Sequence, residues 1–336
     1  MIPLVKSSFY REQEMREALA DFLLHAEKLS MGPVCAMFEK DFAIFQERKH
    51  CVMVNSGSSA NLALIQALFN LERIRAGDLV GFSALTWSTN VMPLLQRGLT
   101  AVPIDCELDT LNVSSRTILN QLEAYPLRLL FLTDVLGWCD DLDRIRDVCE
   151  ERDIVLLEDA CESLGTVYQG TRLGNFGLAS TFSFYVGHQF STIEGGAVCT
   201  DDQELANMVR IVRAHGWDRN LDRTTQASLR EKHQVASTFY SRYTFYDLGY
   251  NLRPTEIAGF LGHTGLPYLP EIVRAREENI RRMAPVIYAR TDRYFPLRFG
   301  HLDTFSNFAL PIVCVGNNPE LTEEEMKEIV DIFTAP

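Results

Sequence analysis

Between Ile154 and Cys199 the chain sets an acid, a hydroxyl and an imidazole at the ends of successive apolar runs. Asp159 closes the run IVLLED, and Glu162 follows three residues later. Ser183 ends a second run within TFSFYVGHQF, and His188 lies on the short polar turn after it, before Glu194-Gly195-Gly196 and another strand. Upstream, NSGSSAN (Asn55 to Asn61) places Gly57 and Ser58 at a helix start, and Trp87 in SALTWSTN falls just past a strand end. Free amides and hydroxyls at a helix N-terminus bind a phosphate. A carboxylate ending an apolar strand needs a partner, which a pyridinium nitrogen would provide. An indole stacks on a flat ring. The set suits a pyridine-ring aldehyde with a phosphate tail. A primary amine on the turn would tether that aldehyde covalently, and an imidazole cannot. Lysine is absent from the whole stretch between Lys49 and Lys232. The pattern implies a pyridoxal-type cofactor held without a covalent bond.

Each residue also has a plainer account. NSGSSAN serves equally as a Ser-rich helix cap, Asp159 as a buried cap of a neighbouring helix, and Glu162 as a solvated turn residue. Trp87 taken alone reads as core, and His188 as a structural histidine. Their co-occurrence in this order is what favours the cofactor.

The elements that position these residues follow from the apolar pattern. Residues 11–29 and 33–48 read as amphipathic helices, residues 51–54 as a buried strand, and NLALIQALFN as a helix. Further strand candidates are 79–82, 100–105, 127–132 and 154–159, mostly separated by stretches of helical length. This alternation implies an α/β fold with a mostly parallel sheet sandwiched by helices. Ligands of such sheets bind outside the carboxyl ends of the strands, where Gly57, Asp159 and Ser183 converge. A helix after Asp201 leads to a polar, aromatic segment, 216–248, which reads as an inserted arm. Helical character returns after Arg253, followed by a strand FALPIVCV (308–315) and a final helix from ELTEEEM. The division expected is 1–252 for cofactor binding and 253–336 for a smaller α/β domain.

At 336 residues, 46% apolar and 23% charged, the chain has an ordinary globular composition. Its net charge of −13 argues against nucleic acid and anionic membranes. No run reaches the length of a membrane span. The eight cysteines form no closely spaced metal or redox pair and read as small buried residues of a cytoplasmic protein.

With these residues in place, the chain resembles the DegT/DnrJ/EryC1/StrS family of nucleotide-sugar aminotransferases, from its N-terminal helix to about residue 290. The resemblance implies the fold-type I architecture of pyridoxal-phosphate enzymes. It assigns Gly57, Ser58 and Ser183 to the phosphate, Trp87 to ring stacking, Asp159 to the pyridine nitrogen and Glu162 to the ring hydroxyl. Asn251 in GYNLRPTEIAGFLG would reach the phosphate across a homodimer interface with shared active sites. His215 and Arg219 in AHGWDR would help hold the sugar nucleotide. His188 falls on the family's lysine position and, with SFYVGHQFSTIEGG, resembles the 3-dehydratase branch. Only Cys199 and Cys314 follow it, so the branch that carries an iron–sulfur cluster, which needs four thiolates, is disfavoured.

The activity so implied is removal of the C3 hydroxyl from a nucleotide-linked 4-keto-6-deoxy hexose, with GDP-4-keto-6-deoxy-mannose as the substrate expected. Glutamate would convert the non-covalent cofactor to its pyridoxamine form, and His188 would act as the base. The released unsaturated amine would hydrolyse to the 3-deoxy-4-keto sugar with loss of ammonia. Two alternatives stay open: another pyridoxamine-dependent reaction on a different nucleotide sugar, and a non-catalytic relative that binds cofactor or nucleotide. The join Gly316-Asn317-Asn318-Pro319 departs from the family pattern and reads as an internal deletion that shortens the C-terminal domain.

Overall fold

The computed structural model describes residues 7–289, 296–305, 309–310, 315–316 and 319–334. Helices α1 (Glu12–His25) and α2 (Pro33–Gln46) precede strand β1 (His50–Val54) and the central helix α3 (Gly57–Asn70). There follow β2 (Leu79–Ser83), α4 (Ser88–Gln96), β3 (Thr100–Ile104), α5 (Ser115–Leu122), β4 (Leu129–Thr133), α6 (Leu142–Glu151) and β5 (Val155–Asp159). A ribbon of β6 (Val167–Tyr168) and β7 (Thr171–Arg172) leads to β8 (Ala179–Ser183), β9 (Gly196–Thr200) and α7 (Gln203–Arg213). The remainder comprises α8 (Arg223–Lys232), α9 (Glu256–Gly265), α10 (Leu269–Tyr288), β10 (Ala309–Leu310), β11 (Val315–Gly316) and α11 (Glu323–Thr334).

Seven strands form one sheet in the order β1-β9-β8-β5-β4-β2-β3, and β9 runs against its two neighbours. The other pairings are parallel, so helices must cover both faces. That is why β4 and β5 read as unbroken apolar runs and not as alternating ones. Helix α3 is buried along nearly its whole length, from Gly57 to Leu68. It packs on β8, β9, α4 and α7. One face of the sheet closes over Val54, Leu64, Phe131 and Leu157. The other closes over Leu130, Trp138 and Ile145, and this second core extends to Ile280 of α10, Ile329 of α11 and Phe305 from the chain between them. Full burial of each such side chain contributes roughly 1.5–3 kcal/mol.

The successive acids of β5 show how the sheet separates structural from functional groups. Side chains alternate faces along a strand. Glu158 accepts from the backbone N–H groups of Gly174, Phe176 and Gly177 at 2.8, 2.7 and 2.7 Å. It ties down the loop before β8, which leaves Asp159 for the opposite face.

Three sequence expectations are corrected. Helix α1 stops at His25, not residue 29, where Ala26 turns extended. Segment 216–248 is not all arm: it contains α8, and Asp218 is buried against Arg230 at 2.7 Å. Helix α8 itself buries no residue, so its sequence carries no apolar stripe to read. The run 308–315 is not one strand, because its described parts, β10 and β11, pair with each other antiparallel. The rest of that run, Cys314 and the Asn317-Asn318 part of the expected deletion lie outside the described residues. Five cysteines are buried as expected, but Cys106 and Cys161 are only partly so.

Candidate active site

The carboxyl ends of β1, β5 and β8 bring the expected residues together. Ser56 caps α3, its Oγ accepting from the Ser59 amide at 3.0 Å. The first-turn amides of Gly57 and Ser58 have no acceptor within the helix, as at any helix start. Gly57 is required by close approach: a Cβ there would sit 2.6 Å from the Ser183 Cβ and 3.0 Å from the Cys161 Sγ. Gly196 backs the same turn, since a Cβ on it would lie 2.3 Å from the Ser56 carbonyl oxygen. Ser58 is exposed and Ser183 is buried at the end of β8. The result is a tight backbone cradle at the positive end of a helix, a form that takes a phosphate.

Asp159 is 4% exposed and accepts three hydrogen bonds. Asn61 and Asn90 donate to its Oδ2 at 3.0 and 2.7 Å, and the Cys161 amide donates to its Oδ1 at 3.0 Å. The Cys161 thiol also lies within reach of this carboxylate. Neither asparagine was anticipated as a partner, although both lie within quoted segments. Their amide oxygens are buried with no hydrogen-bond partner.

Glu162 is no solvated turn residue. Its Oε2 accepts from the Leu136 amide at 2.6 Å, and Leu136 adopts a left-handed conformation (φ 59°) to present that amide. Burial pushes the Glu162 carboxyl up to about 7, opposed by the Leu136 bond and helped by the nearby Asp159. Burial likewise raises the Cys161 thiol well above its usual range, with Asp159 adding to the effect.

His188 sits in a loop closed on itself by hydrogen bonds from Phe184 to Gly195, Thr192 to Phe184 and Val186 to Ile193. Its amide donates to the Tyr185 carbonyl at 2.9 Å. Ile193 closes the loop at φ 71°, a costly conformation for a β-branched residue. Gln189 is buried, and its Nε2 donates to the Glu162 carbonyl. Burial lowers the pKa of His188. The Asp159 charge and a hydrogen bond to the Cys161 carbonyl raise it, and Arg276 lowers it. The net direction is down, which leaves a neutral imidazole suited to accept a proton.

Trp87 caps α4 and is 72% exposed, so the core-packing account fails and the ring is available to a ligand. His215, Arg219 and Asn251 form a second group. The His215 amide donates to the Tyr250 carbonyl at 2.7 Å, and its ring meets Trp217 edge-on at 4.7 Å. The Arg219 guanidinium lies 3.7 Å over the Trp217 ring. Asn251 is exposed and accepts from Arg253 Nε at 3.0 Å. Lys28, Trp217, Arg219, Asn251 and Arg253 line one basic hollow. Among the described residues no cluster of His, Cys, Asp and Glu could hold a metal ion, and no helix is long and apolar enough to cross a membrane.

Comparison with known proteins places the chain in a family. The model of the DegT/DnrJ/EryC1/StrS aminotransferase family matches residues 10–331. The chain is 35% identical to the GDP-4-keto-6-deoxy-D-mannose 3-dehydratase of Yersinia pseudotuberculosis over 275 residues, covering 81% of this chain and 68% of that one. It is also 35% identical to the enzyme of that name from Escherichia coli O55:H7 over 260 residues, or 76% and 66% of the two chains. The chain thus spans about two thirds of the length of these curated relatives. A crystal structure of GDP-4-keto-6-deoxymannose-3-dehydratase with a trapped PLP–glutamate geminal diamine superimposes with a TM-score of 0.79 at 32% identity, over 86% of this chain and 73% of that one. The chain belongs to the DegT/DnrJ/EryC1/StrS aminotransferase family.

Proposed function

We propose that the protein is a pyridoxal-phosphate-dependent 3-dehydratase, which removes the C3 hydroxyl of GDP-4-keto-6-deoxy-mannose with glutamate as amine donor. One observation carries the reading. A neutral histidine, not a lysine, stands on the turn beside Asp159 in an otherwise complete cofactor cradle. The cradle fits the cofactor: Gly57 and Ser58 with Ser183 would hold the phosphate, Asp159 the ring nitrogen, and Glu162 the ring hydroxyl. When bound, the cofactor supplies an electron sink conjugated to the substrate carbon. Asn61 and Asn90 orient Asp159 for this, and Trp87 would stack on the ring. His188 takes up a proton on its imidazole and, lacking a primary amine, cannot bind the cofactor covalently. The turn therefore moves protons without tethering anything, and the product is released to water.

The same reading extends to a cytoplasmic homodimer in a pathway to a 3,6-dideoxy sugar such as colitose. The exposure of Asn251, and of Leu95 and Leu248 flanking the Arg97–Tyr250 bond, supports a second copy seated there. His215 and Arg219 then hold the sugar nucleotide, residues 1–252 carry the cofactor, and 253–336 form a shortened closing unit. The test is His188→Lys with cofactor, glutamate and the keto sugar. The account expects a cofactor that resists dialysis and a switch toward amino sugar. Dehydration continuing unchanged, with no trace of amination, would refute it.

A further inference from the structure

The turn that carries His188 is held from both sides. On one side Gln189 donates to the Glu162 carbonyl. On the other, Arg276 of α10 donates from Nη2 to the His188 carbonyl at 3.1 Å. Arg276 is 6% exposed, among the buried apolar residues of its helix, Ile272, Val273, Ile280 and Met283. A guanidinium costs much more to bury there than a methionine or leucine of similar length. Helix packing alone does not account for it. Burial pulls its pKa down to about 9, which leaves it a cation at neutral pH. A cavity of about 50 Å³ adjoins both residues, walled also by Ser8, Tyr10 and Tyr268. It has room for water.

The imidazole therefore sits between opposed influences. From the end of β5, Asp159 and the Cys161 carbonyl favour the imidazolium. Burial opposes it most, and the charge of Arg276 on α10 adds a smaller effect of the same sign. From its own loop, Tyr185 meets the ring edge-on at 5.9 Å, and the Glu162 carbonyl accepts from Gln189 of the turn. We propose that Arg276 is a positioning residue: it fixes the peptide of the His188 turn through its bond to the His188 carbonyl, and its charge adds to burial in favouring the neutral, proton-accepting imidazole. The proposal rests on the reading of His188 as the base. It also ties that base to α10.

The test uses the full chain without cofactor, labelled with 13C in its histidine rings. The His188 signal is assigned by its loss in His188→Asn. In the wild type the ring should titrate below the ordinary value of about 6.5. Arg276→Gln should raise the midpoint and shift the acid limb of kcat upward with it. Arg276→Lys, which keeps the charge, should leave the midpoint within a few tenths of a unit while lowering kcat. An unchanged midpoint in Arg276→Gln would overturn the proposal. If that variant does not fold, a His188 midpoint at the ordinary value in Arg276→Lys would do so. Failure of the underlying reading is distinguishable, because it would appear as full dehydration by His188→Asn whatever the titrations show.

Discussion

The asparagine pair beneath Asp159 offers the sharpest quantitative test of how the site holds its cofactor. Asn61 donates to Asp159 Oδ2 at 3.0 Å from inside α3, where it is 1% exposed. Asn61→Ala removes one of three donors, and a hydrogen bond to a charged group contributes about 1.5–3 kcal/mol. Affinity for pyridoxal phosphate should fall about 10- to 100-fold. Asn61→Asp keeps the shape and replaces the donor with an acceptor. Two carboxylate oxygens about 3 Å apart repel by roughly 5 kcal/mol at an effective dielectric of 20. The site would take up a proton before bearing that cost. A protonated carboxyl can donate to Asp159, so the Asp variant should bind far better at pH 6 than at pH 8, and the Ala variant should show no such recovery. Equilibrium titration followed by the absorbance of bound cofactor measures both affinities, and melting of the cofactor-free protein checks the fold. Wild-type affinity in Asn61→Asp at pH 8 would refute the assignment of Asp159 as the ring partner oriented by Asn61.

Other perturbations follow from the same geometry. Trp87→Ala should change stability by less than about 0.5 kcal/mol, because the ring is exposed, yet weaken cofactor binding about tenfold through lost stacking; calorimetry on both forms separates the two. Glu162 titrates near 7 in the folded protein and near 4.5 unfolded, so its burial costs stability as pH rises from about 4.5 to 7 and by a constant amount above that. Apo Glu162→Gln should therefore match the wild type at pH 5 and exceed it by on the order of 2 kcal/mol at pH 8, measured by urea unfolding. Ile193→Gly relieves a left-handed β-branched residue and should stabilise the apo protein by about 1 kcal/mol, while a looser His188 loop lowers kcat.

The parallel sheet was legible because strands buried on both faces appear as apolar runs, and β1 to β5 lie within two residues of their expected bounds. The two-residue strands β6 and β7 are too short to leave a pattern. Helix α8 leaves none because it buries nothing. At the site, Asp159, Ser183, His188 and the Gly57 turn were readable from local chemistry, each at a strand end or helix start. The residues that hold them were not. Asn61 and Asn90 stand 98 and 69 positions from Asp159, and Arg276 stands 88 from His188. Only the folded sheet brings them together. A buried carboxylate does demand donors, so the two asparagines near strand and helix ends were the available signal. Trp87 taken alone suggests core, but its place in the motif suggests a ring-stacking role, and the structure leaves the ring exposed at a helix start.

The most direct measurement is mass spectrometry of the nucleotide sugar after incubation with the protein, pyridoxal phosphate, glutamate and GDP-4-keto-6-deoxy-mannose. Loss of one oxygen from the sugar, with glutamate consumed, is the result the account predicts. An amino sugar, or an unchanged sugar under conditions where glutamate is consumed, would contradict it.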